Sequence, residues 1–111
     1  MNPLVSPMFG MRKQDEPLIV TYIENEDGIL IKMKGRLDSI TSPDFQATAT
    51  EKCRGRSATL DMENVSYLSS AGLRAILSLD KATGRDNKLV IINASGSVKD
   101  VLDMSGFTDY L

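Results

Sequence analysis

The sequence predicts an α/β fold with a mostly parallel sheet of four to five strands, an antiparallel hairpin at its edge and helices packed mainly on one face. Two short apolar runs, at 57–62 and 89–92, have the length and composition of buried strands. A helical pattern follows each of them, and strands that alternate with helices form a parallel sheet through right-handed crossovers. The edge hairpin comes from the segment that precedes these units.

The first two strands form the hairpin. The stretch "LIVTYIE" (18–24) is rich in β-branched and aromatic residues, "NEDG" supplies a turn, and "ILIKMKG" alternates apolar with basic residues. This alternation places Ile29, Ile31 and Met33 on one face and leaves the other face mostly solvated. We expect Gly35 to end the second strand.

The first helix and the central strand follow. Ser42 before Pro43 is typical of an N-cap with proline at the first helical position, and it predicts a helix from about Pro43 to Glu51. The sequence "RGRS" then turns the chain into a buried strand from roughly Ser57 to Met62, and "ENVSYLSS" leads out of it as a loop.

Two further helices flank the last strand. From Ala71, "AGLRAILSLDKATG" predicts a helix with Leu73, Ile76 and Leu77 at helical spacing and Gly84 at its end. After the strand Leu89 to Ile92, Ser97 is expected to cap a third helix that Gly106 stops. Three apolar residues lie on one face of that helix: Val98, Val101 and Leu102.

The two ends of the chain are the least patterned parts. Residues 1–17 hold three of the four prolines and no sustained period, and they predict an extended or disordered leader before a domain at 18–111. The apolar residues of this leader are interrupted by Pro3, Pro7 and Gly10, which disfavours a signal peptide.

Composition excludes several classes of function. We expect a chain of 111 residues with 41% hydrophobic and 25% charged residues to form one globular domain. A net charge of −2 with no long basic run disfavours nucleic acid as a partner. The single Cys53 forms no internal disulfide and is expected to be a packing residue, and no apolar run is long enough to span a bilayer. We therefore expect a cytoplasmic protein with no membrane partner.

The chain contains no histidine, which removes Ser-His and Cys-His nucleophiles and histidine-containing zinc sites. We expect neither a cofactor nor a metal. Asp61 and Glu63 could be nominated as an acid and a base of a small enzyme, but carboxylates two residues apart more often form a solvated edge.

The stretch "SYLSSAGLRAIL" places two serines between the central strand and the second helix. Serine is among the best N-cap residues, worth about 1 kcal/mol, so Ser69 and Ser70 have a purely structural explanation. A helix N-terminus at the carboxyl end of a central strand also suits an anion, and a phosphate on Ser70 would fit there. Gly72 lets the helix start pack close to a strand.

Three segments, "KGRLDS", "LDMENVSYLSSAGLRAIL" and "SVKDVLDMSGF", together resemble the STAS domain of bacterial anti-sigma-factor antagonists, in the same order and spacing over 18–111. The resemblance implies a binding module and not an enzyme. Its partner would be an anti-sigma factor with serine kinase activity, which phosphorylates Ser70 and binds the unphosphorylated form. The capping role of Ser70 would let it carry the phosphate without unfolding the domain.

The resemblance also implies a partner-binding surface around that serine. It places Asp38 of the Gly-x-Leu-Asp turn close to Ser70. Many members have aspartate at the position of Ser69, and many have serine or threonine at that of Ala71. The expected partner-binding residues are Asp38, Ser39, Ser69, Ala71, Gly72, Arg74, Met104 and Ser105.

Two alternatives stay open at this point. A STAS module of another assembly, such as a lipid transporter or a sensory complex, would share every motif without any phospho-switch. Family members usually continue past the third helix into another strand and a terminal helix, whereas "FTDYL" could supply only a short strand. Apolar surface left uncovered there would favour a homodimer or a docked partner.

Overall fold

The computed structural model describes residues 17–106 and confirms the predicted fold class. Its elements are β1 (Ile19–Asn25), β2 (Gly28–Leu37), α1 (Ser42–Cys53), β3 (Ala58–Leu68), α2 (Ser70–Thr83), β4 (Leu89–Ile92) and α3 (Gly96–Met104). Over the described residues the sheet has four strands in the order β1-β2-β3-β4. Strand β1 pairs antiparallel with β2, and the other two pairings are parallel.

The hairpin forms as predicted, but its second strand is longer than expected. Glu26 and Asp27 make the turn, and β2 then continues through Gly35 to Leu37. The prediction that Gly35 ends the strand is wrong. Gly35 lies inside β2, at an irregularity in the pairing of β2 with β3. Gly35 has φ +117° and lies against the backbone of Pro17, and the pairing with β3 shifts by one residue immediately after it.

Strand β3 is also longer than predicted. It does not end at Met62 but continues to Leu68, so "ENVSYL" is strand and not loop. The reason is tertiary: β4 pairs with β3 only as far as Asp61, whereas β2 pairs with it up to Leu37 opposite Leu68. The polar residues of this stretch are therefore held in the sheet by one neighbour. The serine pair follows the strand directly.

Two helix starts differ from the predictions. Helix α1 begins at Ser42 with Thr41 as its N-cap residue, so Ser42 is not the cap, and it extends to Cys53 instead of Glu51. The backbone N–H of Ser42 donates to the carbonyl of Asp38 at 2.9 Å, which draws Ser42 into the first turn. Helix α3 begins at Gly96, one residue before the predicted cap Ser97, with the extended residue Ser95 at the N-cap position.

The core lies between the sheet and the helices on one of its faces. Ile29, Ile31 and Met33 are buried there as predicted, and α1 and α2 pack on each other above them. Of the residues at helical spacing in α2, Ile76 is fully buried, whereas Leu77 is 43% exposed. The other core residues are Leu37, Phe45, Ala49, Cys53, Ala58, Leu60, Met62, Val65, Leu68, Ala75, Ile76, Leu79, Leu89, Ile91, Val98 and Leu102.

Cys53 is a packing residue, as expected. Its side chain is fully buried, and burial raises the pKa of the thiol. Within 17–106, no helix combines the length and the hydropathy that crossing a membrane requires. The predicted leader, apart from Pro17, and the segment "FTDYL" lie outside the described residues.

The start of α2 is expected to tolerate no added side-chain volume at Gly72. A methyl group there would lie 2.6 Å from the Leu37 carbonyl oxygen and 2.8 Å from Leu68 Cδ1. We expect Gly72→Ala to lower the free energy of unfolding by about 1–3 kcal/mol, although alanine is the better helix former. Urea denaturation measures this. The control Ser70→Ala, at an exposed position of the same turn, should stay within about 0.5 kcal/mol; equal losses would contradict the packing argument.

Candidate functional site

The site lies at the carboxyl end of the parallel strands β2 and β3. Leu37 and Leu68 pair opposite each other, and the N–H of Ser69 donates to the Leu37 carbonyl at 3.0 Å. Asp38 and Ser69 are thus the first residues past the last pair, and their two segments leave the sheet side by side. Functional residues collect at this edge of open α/β sheets.

Asp38 is fixed by its own loop. Its Oδ1 accepts the N–H groups of Ile40 at 3.0 Å and Thr41 at 3.1 Å, and its own N–H donates to Thr41 Oγ1 at 3.0 Å. Its Oδ2 lies 3.3 Å from Nε of Arg36. With only 8% of the residue exposed, the carboxylate has one position and one orientation at this edge.

These bonds determine the charge of Asp38. Burial acts to raise the pKa of its carboxyl group, but the hydrogen bonds from Thr41, Ile40 and Arg36 together outweigh burial and lower the pKa. Asp38 therefore carries a negative charge at neutral pH, balanced on one side by the guanidinium group of Arg36.

Arg36 and Tyr67 belong to the site although the sequence did not single them out. They are register partners on β2 and β3, and the guanidinium carbon of Arg36 lies 4.1 Å from the centroid of the Tyr67 ring. The ring face attracts the cation and holds it against Asp38. The pair was missed because β2 was predicted to end at Gly35 and β3 at Met62.

The two serines have different roles. Ser69 is the N-cap of α2, in extended conformation, and its Oγ accepts the N–H of Gly72 at 3.2 Å. Ser70 is the first residue of the helix and is exposed. The expectation that Ser70 itself caps the helix is wrong, since Ser69 makes that bond. A modification of Ser70 therefore leaves the N-cap bond between Ser69 and Gly72 intact.

The exposed side of α2 continues the site along the helix. Ser70, Arg74 and Leu77 recur at helical spacing and are all exposed, while Ala71 is half-buried and Gly72 packs inward. A second apolar side chain, Ile40, stands 75% exposed in the Asp38 loop next to the exposed Ser39. In the sequence, Ile40 stands out only because it is an apolar residue that belongs to neither the strand pattern nor the helix pattern.

Met104 and Ser105 lie at the far end of α3. Met104 is 88% exposed, and the hydroxyl of Ser105 donates back to the Val101 carbonyl at 2.9 Å. The contact of α3 with the sheet is made mainly to β3. The part of these two residues in partner binding stays a prediction.

Asp61, the other carboxylate considered from the sequence, is built into the sheet. Its Oδ1 accepts the side-chain N–H of Asn93 at 3.0 Å and the backbone N–H of Glu63 at 3.1 Å. The Asn93 bond is the main cause of a lowered pKa for the Asp61 carboxyl group, against the effect of burial. A general acid needs the opposite shift, so this carboxylate is suited to holding the end of β4 against the middle of β3.

The Asp38 network predicts a pH dependence of stability. Because the pKa of Asp38 is lowered, its contribution is complete above the ordinary carboxyl pKa near 3.9 and is lost as pH falls through the lower folded value. We expect Arg36→Gln to raise the pKa of Asp38, measured by carboxyl ¹³C NMR, and to lower stability at pH 7 by about 1 kcal/mol.

The matched control is Arg54→Gln. Arg54 pairs with Glu51 at 3.4 Å, but both side chains are more than 60% exposed, at 63% and 69%. An exposed pair contributes little, so this variant should keep the wild-type stability. Equal behaviour of the two variants would show that the Arg36–Asp38 pair does no more than a surface ion pair.

Comparison with known proteins identifies relatives of this chain. A STAS domain of Pseudomonas aeruginosa ("STAS-domain containing protein") is 30% identical over 94 residues, which cover 81% of this chain and 93% of the relative. The anti-sigma-B factor antagonist of Staphylococcus aureus is 29% identical, over 73% of this chain and 78% of its own.

The solved structures include the same fold. The anti-sigma factor antagonist SpoIIAA in its unphosphorylated form matches with a TM-score of 0.67 and 19% identity, over 83% of this chain and 84% of that chain. The Bacillus cell fate determinant SpoIIAA in its phosphorylated form gives a TM-score of 0.63, also at 19% identity, over 83% and 87%. The family model of the STAS domain matches residues 20–111. The resemblance drawn from the motifs is therefore confirmed, and the chain belongs to the STAS domain family.

Proposed function

We propose that this protein is an anti-sigma-factor antagonist whose binding is switched off by phosphorylation of Ser70. In its unphosphorylated form it binds an anti-sigma factor that is also a serine kinase, and phosphorylation releases it. The observation that carries the proposal is the exposed Ser70 at the first position of α2, next to the segment that fixes the carboxylate of Asp38. The protein itself catalyses nothing in this scheme, and it acts in the cytoplasm.

The fold is suited to accept a phosphate at Ser70. The group would lie at the N-terminus of a 14-residue helix, where the helix dipole and the free N–H groups favour negative charge. Ser69, and not Ser70, makes the capping bond to Gly72, so modification of Ser70 removes no bond that the helix start depends on. The domain would therefore stay folded in both states.

Electrostatic exclusion accounts for the switch. A phosphoserine adds about −1.5 to −2 charges at pH 7, beside an Asp38 that is itself ionised. A partner surface matched to a neutral hydroxyl would then face two negative groups at a desolvated interface. Like-charge juxtaposition there costs several kcal/mol, which corresponds to a loss of affinity of about a hundredfold or more.

Exposed apolar residues beside the serine support a protein partner. Ile40 and Leu77 stand 75% and 43% exposed on the two segments that form the site. Apolar anchors within a polar rim are the usual composition of a protein interface, and here Ser39 and Arg74 supply the rim. This surface is part of the proposal, together with the partner-binding residues expected from the family.

Phosphorylation is tested by incubating the protein with ATP and each anti-sigma factor of its source organism that carries a kinase domain. Intact-mass spectrometry should show a gain of one phosphoryl group for wild type and for Ser69→Ala, and none for Ser70→Ala. No gain in any protein with every kinase would contradict the phospho-switch and favour a STAS module of another assembly.

Charge exclusion is tested with Ser70→Asp in titration calorimetry against the anti-sigma factor that binds wild type. We expect a folded protein whose affinity is lower by about tenfold or more, because one carboxylate carries less charge than a phosphate. Ser97→Asp is the matched control, since it adds the same charge in the first turn of α3 at an exposed serine. Equal affinities of Ser70→Asp and wild type would rule out a charge mechanism.

A further inference from the structure

We propose that β1 is a dimer interface, at which the β1 strands of two copies pair antiparallel and join the two sheets into one. This inference concerns the edge of the sheet that β1 forms, and it does not depend on the phospho-switch. The expectation from the sequence placed a homodimer at uncovered surface near the chain end. The observations on β1 support a contact at the hairpin.

The backbone of β1 has an open edge in the part of the chain that the structure describes. The strand is seven residues long, bonds to β2 on one side and is the outermost strand of the sheet. An edge strand presents a row of N–H and C=O groups that another strand can bond. The partner that this row selects is an extended strand.

Uncovered apolar surface lies on both faces of this strand. On the open face of the sheet, Ile19 and Ile23 are 55% and 45% exposed. On the helix face, Val20 and Tyr22 are half-buried and form one wall of a groove of about 460 Å³, with Phe45 of α1 among the residues opposite. Helix α1 thus leaves the outer strand only partly covered, and both apolar surfaces meet at β1.

The strand lacks the devices that usually protect an edge from pairing. Ile19–Asn25 contains no proline, and its pairing with β2 runs in continuous register without a bulge. Its single charged residue is Glu24, which lies 2.8 Å from Arg56 and 3.6 Å from Lys52. The carboxylate is paired with these cations within each copy, so the strand presents no unpaired charge of its own to a second copy.

The strand is complementary to itself, and for this reason we propose a second copy of the chain as its partner. In an antiparallel pair with its two-fold axis at Tyr22, Thr21 faces Ile23 of the other copy, and residues of equal parity share a face. Ile19 and Ile23 of both copies then form one apolar patch on the open face. The two Tyr22 rings lie side by side along the groove.

Sedimentation velocity of the full chain from about 1 to 100 µM tests this, a range that resolves dissociation constants in the micromolar region. We expect wild type to shift from monomer to dimer, and Ile23→Lys to weaken association at least tenfold, because it puts two lysines diagonally across the two-fold axis within the apolar patch. The matched control is Val90→Lys. Val90 is an exposed β-branched residue, at 36%, in the same cross-strand row but on the opposite edge strand β4. The Val90→Lys variant should associate like wild type.

A wild type that stays monomeric throughout this range would overturn the proposal, as would equal effects of the two lysines. If Ile23→Lys loses its wild-type circular dichroism spectrum, Ile19→Lys replaces it, since Ile19 is the more exposed of the pair. Ser70→Ala should associate like wild type, so the dimer and the phospho-switch can fail separately.

Discussion

The parallel pairing of β2 with β3 is the interaction on which the rest of this structure depends. It runs from Ile29 opposite Ala58 to Leu37 opposite Leu68, and it absorbs two irregularities of register on the way. Because both strands end at the same pair, the chain leaves the sheet twice at one point. The acidic loop and the serine-bearing helix start are neighbours for that reason.

Close packing at this exit requires small or fixed groups. Gly72 lets α2 start directly against Leu37 and Leu68, and a larger residue there would meet backbone. Asp38 folds its loop onto itself through Thr41 and Ile40, with Arg36 holding the remaining carboxylate oxygen. The site is therefore rigid around an exposed serine, which suits the proposed switch, in which phosphorylation changes the charge and not the fold.

The two proposed surfaces are centred on different parts of the molecule, although Ile40 of the Asp38 loop also lines the groove beside β1. The switch surface is at the carboxyl ends of β2 and β3, whereas the proposed dimer contact is the free edge of β1. Pairing at β1 would leave Ser70 and Arg74 accessible, since both are on α2. A dimer could then present two switch sites to its partners at once, which raises avidity without any new contact at either site.

The sequence by itself determined the order and type of every described element, because strand composition, turn residues and helical spacing act locally. The strand at Leu89–Ile92 was predicted to the residue. The buried residues Ile29, Ile31 and Met33 of β2 followed from the alternation of apolar and basic residues. Motif spacing identified the family, which the family model confirms over 20–111.

Only the tertiary structure decided where β2 and β3 end, because polar residues such as those after Met62 stay in a strand when a neighbouring strand bonds them. For the same reason Arg36 and Tyr67 could not be found in advance: they meet across two strands whose last residues the pattern had assigned to loops. The choice of Ser69 over Ser70 as the cap also came from the fold. The helix begins where the strand pairing stops, and that point depends on contacts between residues about thirty positions apart.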